Sequence, residues 1–88
     1  MASYEIYFKP SVDKDLRALP KSVIVRVIER IEDLAEEPFP HGMTKLAGAE
    51  RLYRLRVGDY CIVYEVDTPS RVITIHYIRH RREVYRAI

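Results

Sequence analysis

The stretch LYRLRVGDYCIVYEVD, residues 52–67, decides the fold, because apolar side chains alternate with others on both sides of one tight turn. Gly58-Asp59 is a two-residue connection of the kind that joins the strands of a β-hairpin. A hairpin closed at this turn pairs Val57 with Tyr60, and the pairs that follow are thereby fixed. A slip of one residue would bury arginines without partners, so the pairing is well determined.

The predicted pairing sorts the hairpin side chains onto two faces of a sheet. One face is apolar and aromatic and carries Tyr53, Leu55, Val57, Tyr60, Ile62, Tyr64 and Val66. The other face carries Arg54 and Arg56, which pair with Val63 and Cys61, together with Glu65. We expect the first face to pack against helices and the second to be exposed, with the two arginines about 7 Å apart along the strand.

The N-terminal half of the chain predicts one strand and two helices. Residues 4–8 are aromatic and β-branched and form a strand. Ser11 stands in the N-cap position of a short helix that runs to Leu19, before a proline. Apolar residues at helical spacing over 24–35 then predict a second helix.

The C-terminal half predicts an all-strand meander. A loop over residues 39–50 precedes strands at 52–57, 60–67 and 72–78. The element order β-α-α-β-β-β predicts one α+β domain over residues 1–88, with an N-terminal helical hairpin packed on a small antiparallel sheet.

Composition excludes several classes of protein. The chain of 88 residues holds one cysteine, which excludes an internal disulfide framework and a cysteine-based zinc site. No apolar run approaches the ~20 residues of a membrane span. The N-terminus also lacks the layout of a signal peptide, so a cytoplasmic protein without a membrane partner is expected.

Positive charge is concentrated in the second half of the chain. Residues 1–44 carry a net charge of −2 and residues 45–88 carry +4. The arginines of the second half are Arg51, Arg54, Arg56, Arg71, Arg79, Arg81, Arg82 and Arg86. Because guanidinium groups match phosphate oxygens and stack on bases, this clustering favours a nucleic-acid ligand.

The terminal run HYIRHRREVYR, residues 76–86, adds imidazoles and a phenol to the arginines. Metal-free RNA cleavage needs a base for the ribose 2′-hydroxyl, cations for the phosphorane and a proton for the leaving 5′-oxygen. Arginine does not act as a base at neutral pH, so the base or acid must come from His80, Tyr85 or His76. His76 and His80 have the i, i+4 spacing of a helical metal site, but His76 falls on the predicted strand 72–78, and we expect neither a metal site nor a cofactor.

Three segments of the chain resemble the RelE/ParE superfamily of toxins, on the RelE side. They are TKLAG at residues 44–48, YRLRVGDY with the following VY at residues 53–64, and HRREVY at residues 80–85. The resemblance implies a metal-independent messenger-RNA endonuclease that cuts in the ribosomal A site by 2′-hydroxyl attack and inhibits translation. It also implies the RelE-like fold, with ribosome and mRNA as partners. A RelB-like antitoxin would silence the toxin in a hetero-oligomeric complex.

The resemblance also assigns residues to the catalytic site. Arg54 and Arg56 fall where the family places cations that contact the scissile phosphate or take part in proton transfer. Arg79 matches an arginine that stabilises the transition state or protonates the leaving group. Tyr85 matches a tyrosine that orients or stacks on the substrate, and His80 is the preferred proton-transfer residue.

Four further cations complete the predicted RNA interface. Lys45 lies in the segment before the hairpin, where a backbone contact is expected, and Arg51, Arg81 and Arg82 extend the positive surface.

The chain departs from its relatives at Cys61, where many of them have an arginine. The missing cation predicts either a slow nuclease or one that depends more heavily on the ribosome to organise its substrate. It also predicts that Cys61→Arg increases toxicity. Two other functions stay open: a ParE-like inhibitor of DNA gyrase on the same fold, and a non-toxic remnant that still binds an antitoxin.

Overall fold

The computed structural model describes residues 3–46, 48 and 51–86, with the side chains of residues 85 and 86 left out. The elements in chain order are β1 (Glu5–Phe8), α1 (Ser11–Arg17), α2 (Lys21–Glu36), β2 (Thr44–Lys45), β3 (Leu52–Val57), β4 (Tyr60–Asp67), β5 (Val72–His80) and α3 (Arg81–Arg86). The predicted α+β class is confirmed. Two short elements are additions: β2, inside the predicted loop, and α3, at the end of the chain.

The five strands form one sheet in the order β1-β5-β4-β3-β2. β1 runs parallel to β5, with Glu5 opposite Val72, so the sheet is mixed and the prediction of an antiparallel sheet is wrong for this one pair. Parallel strands need a long crossover, which the helices and the central hairpin between β1 and β5 supply.

The hairpin has the predicted register. Val57 pairs with Tyr60, and Arg56 pairs with Cys61. Gly58 has a positive φ of 62°, which a side chain would strain, and this explains why a glycine opens the two-residue turn.

The first helix begins differently from the prediction. Ser11 is its first helical residue and Pro10 is the N-cap, with no capping hydrogen bond from a side chain. The proline ring holds φ near the helical value, at −53°, and the Val12 N–H bonds to the carbonyl of Lys9. The helix ends at Arg17, two residues before the predicted Leu19.

Two apolar cores lie on opposite faces of the sheet. The larger lies under α1 and α2 and includes Val27, Ile31, Ile62 and Tyr64, the last with its hydroxyl donating to the Pro38 carbonyl at 3.0 Å. This is the face that the sequence predicts to be buried. The smaller core, on the other face, consists of Leu46, Cys61, Val63 and Val84, with Leu52 and Tyr77 against it. The second face is therefore partly covered, by α3 and by the residue after β2.

Candidate active site

One cross-strand row of the sheet brings the predicted cations together. Arg56 on β3 pairs with Cys61 on β4, and Cys61 pairs with Arg79 on β5. Paired residues of adjacent strands share a face, and two strand spacings separate the Arg56 and Arg79 backbones by about 10 Å, which two arginine side chains can bridge. Arg54 starts the neighbouring row, opposite Val63. We call this side of the sheet, which carries Arg54, Arg56 and Arg79, the arginine face.

A β-bulge in β5 places Arg79 on the arginine face. Val63 pairs with Tyr77 whereas Tyr64 pairs with Ile75, so His76 is an extra residue in the strand. Ile75 and Ile78 are both buried in the helix-side core. Strict alternation from Ile75 would have turned Arg79 toward that core, and the bulge reverses the alternation after His76. The signal in the sequence is the spacing of Ile75 and Ile78. Residues on the same face of a regular strand lie two or four positions apart, whereas these two lie three apart.

The Arg79 guanidinium is held from two sides. Its central carbon lies 4.7 Å from the centroid of the Tyr77 ring, a cation–π distance. Its Nε lies 4.0 Å from Oδ2 of Asp15, and the same oxygen accepts the Ile78 N–H at 3.1 Å. Asp15 therefore ties α1 to β5 and restrains Arg79 at the same time.

The other two arginines of the face surround the buried thiol of Cys61. Arg56 is exposed and its Nε donates to the Gly58 carbonyl at 2.7 Å, while Arg54 is half-buried. The positive charges of Arg54, Arg56 and Arg81 favour the thiolate of Cys61, but burial opposes them and the pKa of the thiol is raised. Cys61 is fully buried against Val84, so it is a small packing residue rather than a reactive thiol.

His80 lies on the opposite side of the sheet from the arginine face. It pairs with Tyr60, whose ring packs on the helix-side core, and the two rings meet edge to face at 5.5 Å. Its Nδ1 accepts the backbone N–H of Arg82 at 3.2 Å, which caps the start of α3. The structure therefore separates His80 from the arginines with which the sequence grouped it, because the side chain after Arg79 points to the other face.

The imidazole that does lie on the arginine face is His76, at the bulge. Its Nε2 is 3.0 Å from Oε1 of Glu65, which belongs to the same face, and its side chain is 16% exposed. A carboxylate on one ring nitrogen fixes the orientation of an imidazole and leaves Nδ1 for another partner. The sequence analysis named His76 only as the third choice for proton transfer, although simple alternation from Ile75 already places it on the arginine face.

The predicted RNA-binding cations are dispersed. Lys45 is exposed on the edge strand β2 opposite Tyr53, which belongs to the helix-side core. Arg51 lies at the far end of the hairpin and pairs with Asp67 at 3.6 Å. Arg81 lies close to the arginine face, at the hairpin turn, where its N–H donates to the Asp59 carbonyl at 2.8 Å, and Arg82 is exposed.

The prediction for Tyr85 concerns a side chain that lies outside the described residues. The backbone of Tyr85 belongs to α3, the helix whose Val84 packs on Cys61 and Val63. Among the described residues, no group of His, Cys, Asp or Glu side chains is arranged to hold a metal ion. None of the helices in the described part of the chain is long and apolar enough to cross a membrane.

The described part of the chain is a small α+β fold that gathers three arginines on one face of its sheet. The family model described as the ParE toxin of the type II toxin–antitoxin system, parDE, matches residues 6–85. The chain therefore belongs to the RelE/ParE superfamily of type II toxins.

Individual relatives lie on the RelE side of the superfamily. RelE1 of Methanocaldococcus jannaschii is 31% identical over 86 residues, covering 94% of this chain and 96% of the relative. The toxin RelG of Mycobacterium tuberculosis is 27% identical over 84 residues, covering 94% and 97%. The crystal structure of the archaeal RelE–RelB complex from Pyrococcus horikoshii matches with a TM-score of 0.80 and 34% identity, over 90% of this chain and 96% of that one.

Proposed function

We propose that this toxin is a ribosome-dependent endoribonuclease that cuts messenger RNA in the A site without a metal ion. The observation that carries the proposal is the position of Arg54, Arg56 and Arg79 on one face of the sheet. The face presents several guanidinium groups to one ribose-phosphate link, and one of them is already oriented by a carboxylate and an aromatic ring. Preorganised cations of this kind stabilise the charge that develops on a phosphorane.

The reaction is an internal displacement at phosphorus. The 2′-oxygen bonds to phosphorus, the bond from phosphorus to the 5′-oxygen breaks, and the products are a 2′,3′-cyclic phosphate and a free 5′-hydroxyl. One proton passes in net terms from the 2′-hydroxyl to the 5′-oxygen. The arginines stabilise the phosphorane but cannot accept that proton at neutral pH.

We infer that His76 is the proton-transfer residue, in place of His80. His76 lies on the arginine face and has Glu65 to orient it, whereas the Nδ1 of His80 is engaged in capping α3. His76→Gln is expected to slow cleavage by about 10²-fold, at the lower end of the contribution of a positioned acid or base. His80→Gln is the matched control, and we expect a change of less than tenfold.

The pair of variants is tested by single-turnover cleavage on programmed ribosomes over a range of pH. Loss of the pH dependence in His76→Gln alone would support the assignment. A greater loss in His80→Gln would return the role to His80.

The proposed partner that silences the enzyme is a RelB-like antitoxin. Several of the matched crystal structures are complexes of RelE with RelB. For this chain, the basic C-terminal half and the exposed arginine face favour an acidic or amphipathic antitoxin segment. The expected assembly is hetero-oligomeric and cytoplasmic.

A second candidate function is inhibition of DNA gyrase, because the matching family model carries the description of the ParE toxin. An inhibitor that acts by binding alone does not need oriented arginines, and for this reason the nuclease is the preferred function. The third candidate, a non-toxic remnant, would keep antitoxin binding without either activity.

Inducible expression followed by mapping of 5′ ends on translated messages separates the three functions. We expect new 5′ ends inside codons of translated reading frames within minutes of induction, and none in the same messages when translation is blocked. Stalled replication with intact messages would instead indicate the gyrase inhibitor. Unaffected growth with intact messages would indicate the remnant.

A further inference from the structure

A second basic site lies around the hairpin turn, on the side away from the arginine face. A cleft of about 450 Å³ opens there between α2 and the β3–β4 turn. Its lining includes Arg26 and Arg30, one helical turn apart on α2, and Arg56 and Gly58 of the hairpin. The cleft is contiguous with the arginine face because Arg56 belongs to both.

Two guanidinium groups meet at Gly58. Nε of Arg56 donates to the Gly58 carbonyl at 2.7 Å. On the other side, a β-carbon at Gly58 would lie 3.6 Å from Nη2 and 3.7 Å from Nη1 of Arg26. The turn therefore brings two positive charges close to a single exposed residue, and an anion bound there would be attracted by both.

In the described part of the chain, two carboxylates lower the net charge of the cleft but make no close ion pair in it. Glu29 and Asp33 also line the cleft, on the same helix as Arg26 and Arg30. Within the described ranges, however, neither forms an ion pair with any of the three cleft arginines. With three arginines against two carboxylates, the lining stays net positive, and its guanidinium groups offer paired N–H donors of the kind that bind phosphate.

We propose that Arg26, Arg30 and Arg56 bind a phosphate of the RNA strand outside the scissile link, where the strand leaves the arginine face and passes around the Gly58 turn. The proposal rests on the proposed RNA-cleaving function and extends that function, since the outer site defines the direction in which the RNA runs across the protein. Arg56 would contact RNA from both sites, and Arg26 and Arg30 belong to the outer site alone.

The test compares a trinucleotide, which covers only the arginine face, with a dodecanucleotide long enough to turn past Gly58. Binding of the antitoxin-free protein to each fluorescent single-stranded RNA is measured by anisotropy over a range of KCl concentrations. In Arg26→Ala/Arg30→Ala, the slope of log K against log[salt] for the dodecanucleotide is expected to fall in magnitude by about 0.7, the value for one phosphate on a single strand. The slope for the trinucleotide should stay unchanged.

The control is Arg17→Ala/Lys21→Ala, which removes the same charge from exposed positions that do not line the cleft. An equal fall of the slope in the control would reduce the effect to net charge and overturn the proposal, as would an unchanged slope in Arg26→Ala/Arg30→Ala. If the wild-type protein binds neither RNA and cuts no message on ribosomes, the proposed function itself fails. If it binds neither RNA but cuts messages on ribosomes, the outer site alone is rejected. Binding of both RNAs by the wild type with no effect of the double variant rejects the outer site alone.

Discussion

Arg79→Ala is expected to lower the rate of RNA cleavage by about 10²–10³-fold and to leave the protein folded. The side chain of Arg79 is 47% exposed, so its removal leaves no cavity in either core. Its guanidinium is held between the Tyr77 ring and the Asp15 carboxylate before any substrate binds. A cation with these two neighbours needs less reorganisation to stabilise the developing charge, and alanine loses this stabilisation entirely. Single-turnover cleavage on programmed ribosomes measures the effect.

The matched control for Arg79 is Arg17→Ala. Arg17 is also an exposed arginine beside an aspartate, with its Nη2 2.9 Å from Oδ2 of Asp13. A surface ion pair of this kind contributes about 0–1 kcal/mol to stability, so the control should cleave at the wild-type rate. Thermal unfolding should match the wild type in both variants. Wild-type cleavage by Arg79→Ala would remove that residue from the site, and an equal loss in Arg17→Ala would point to a general effect of charge.

The central hairpin could be predicted from the sequence because its determinants are local. Gly58-Asp59 fixes the turn, and the turn fixes which residues pair. Alternation then decides the faces, since only one register keeps Arg54 and Arg56 out of the helix-side core. The position of two of the three arginines on one face was therefore determined within sixteen residues of sequence.

The position of Arg79 depends on an irregularity that a period of two does not reveal. A regular strand from Ile73 through Ile75 would bring Arg79 to the helix side and His80 to the arginine face. The bulge at His76 instead places Arg79 on the arginine face and His80 on the helix side. It forms because Ile78 and Ile75 are both buried in the same core. The sequence analysis grouped His80 with the arginines because these residues are close along the chain. Closeness along a strand does not place two side chains on the same face of the sheet.

The partial cover of the arginine face was also missed, for a different reason. Val63 is fully buried although it lies on the face predicted to be exposed, and its partners come from far along the chain: Leu46 and Val84. The signal in the sequence was an apolar residue, Val63, on the hairpin face that also carries Arg54, Arg56 and Glu65. The parallel pairing of β1 with β5 was missed because it also depends on contacts between segments far apart in the sequence. No local pattern indicates which strand such a distant segment will pair with.

Cys61→Arg is expected to destabilise the protein by about 3–5 kcal/mol, the cost of an uncompensated buried charge. This reverses the prediction from the sequence that an arginine at position 61 would increase toxicity. Cys61 is fully buried against Val84 in the smaller core, and Arg54, Arg56 and Arg81 already lie close enough to act on it electrostatically. A fourth guanidinium would have to displace α3 or remain among like charges. The midpoint of thermal unfolding should fall by at least about 12 °C for a domain of this size.

Two control variants separate charge from size at position 61. Cys61→Met has an uncharged, unbranched side chain that is larger than cysteine, and its flexibility lets it fill irregular space. We expect it to be destabilised by overpacking alone, about 1–3 kcal/mol. Cys61→Ala removes only the sulfur and should lie closest to the wild type. If Cys61→Arg unfolds at the wild-type temperature and cleaves faster, then α3 does not cover position 61 in solution. The arginine face would then be open along the whole cross-strand row from Arg56 through position 61 to Arg79.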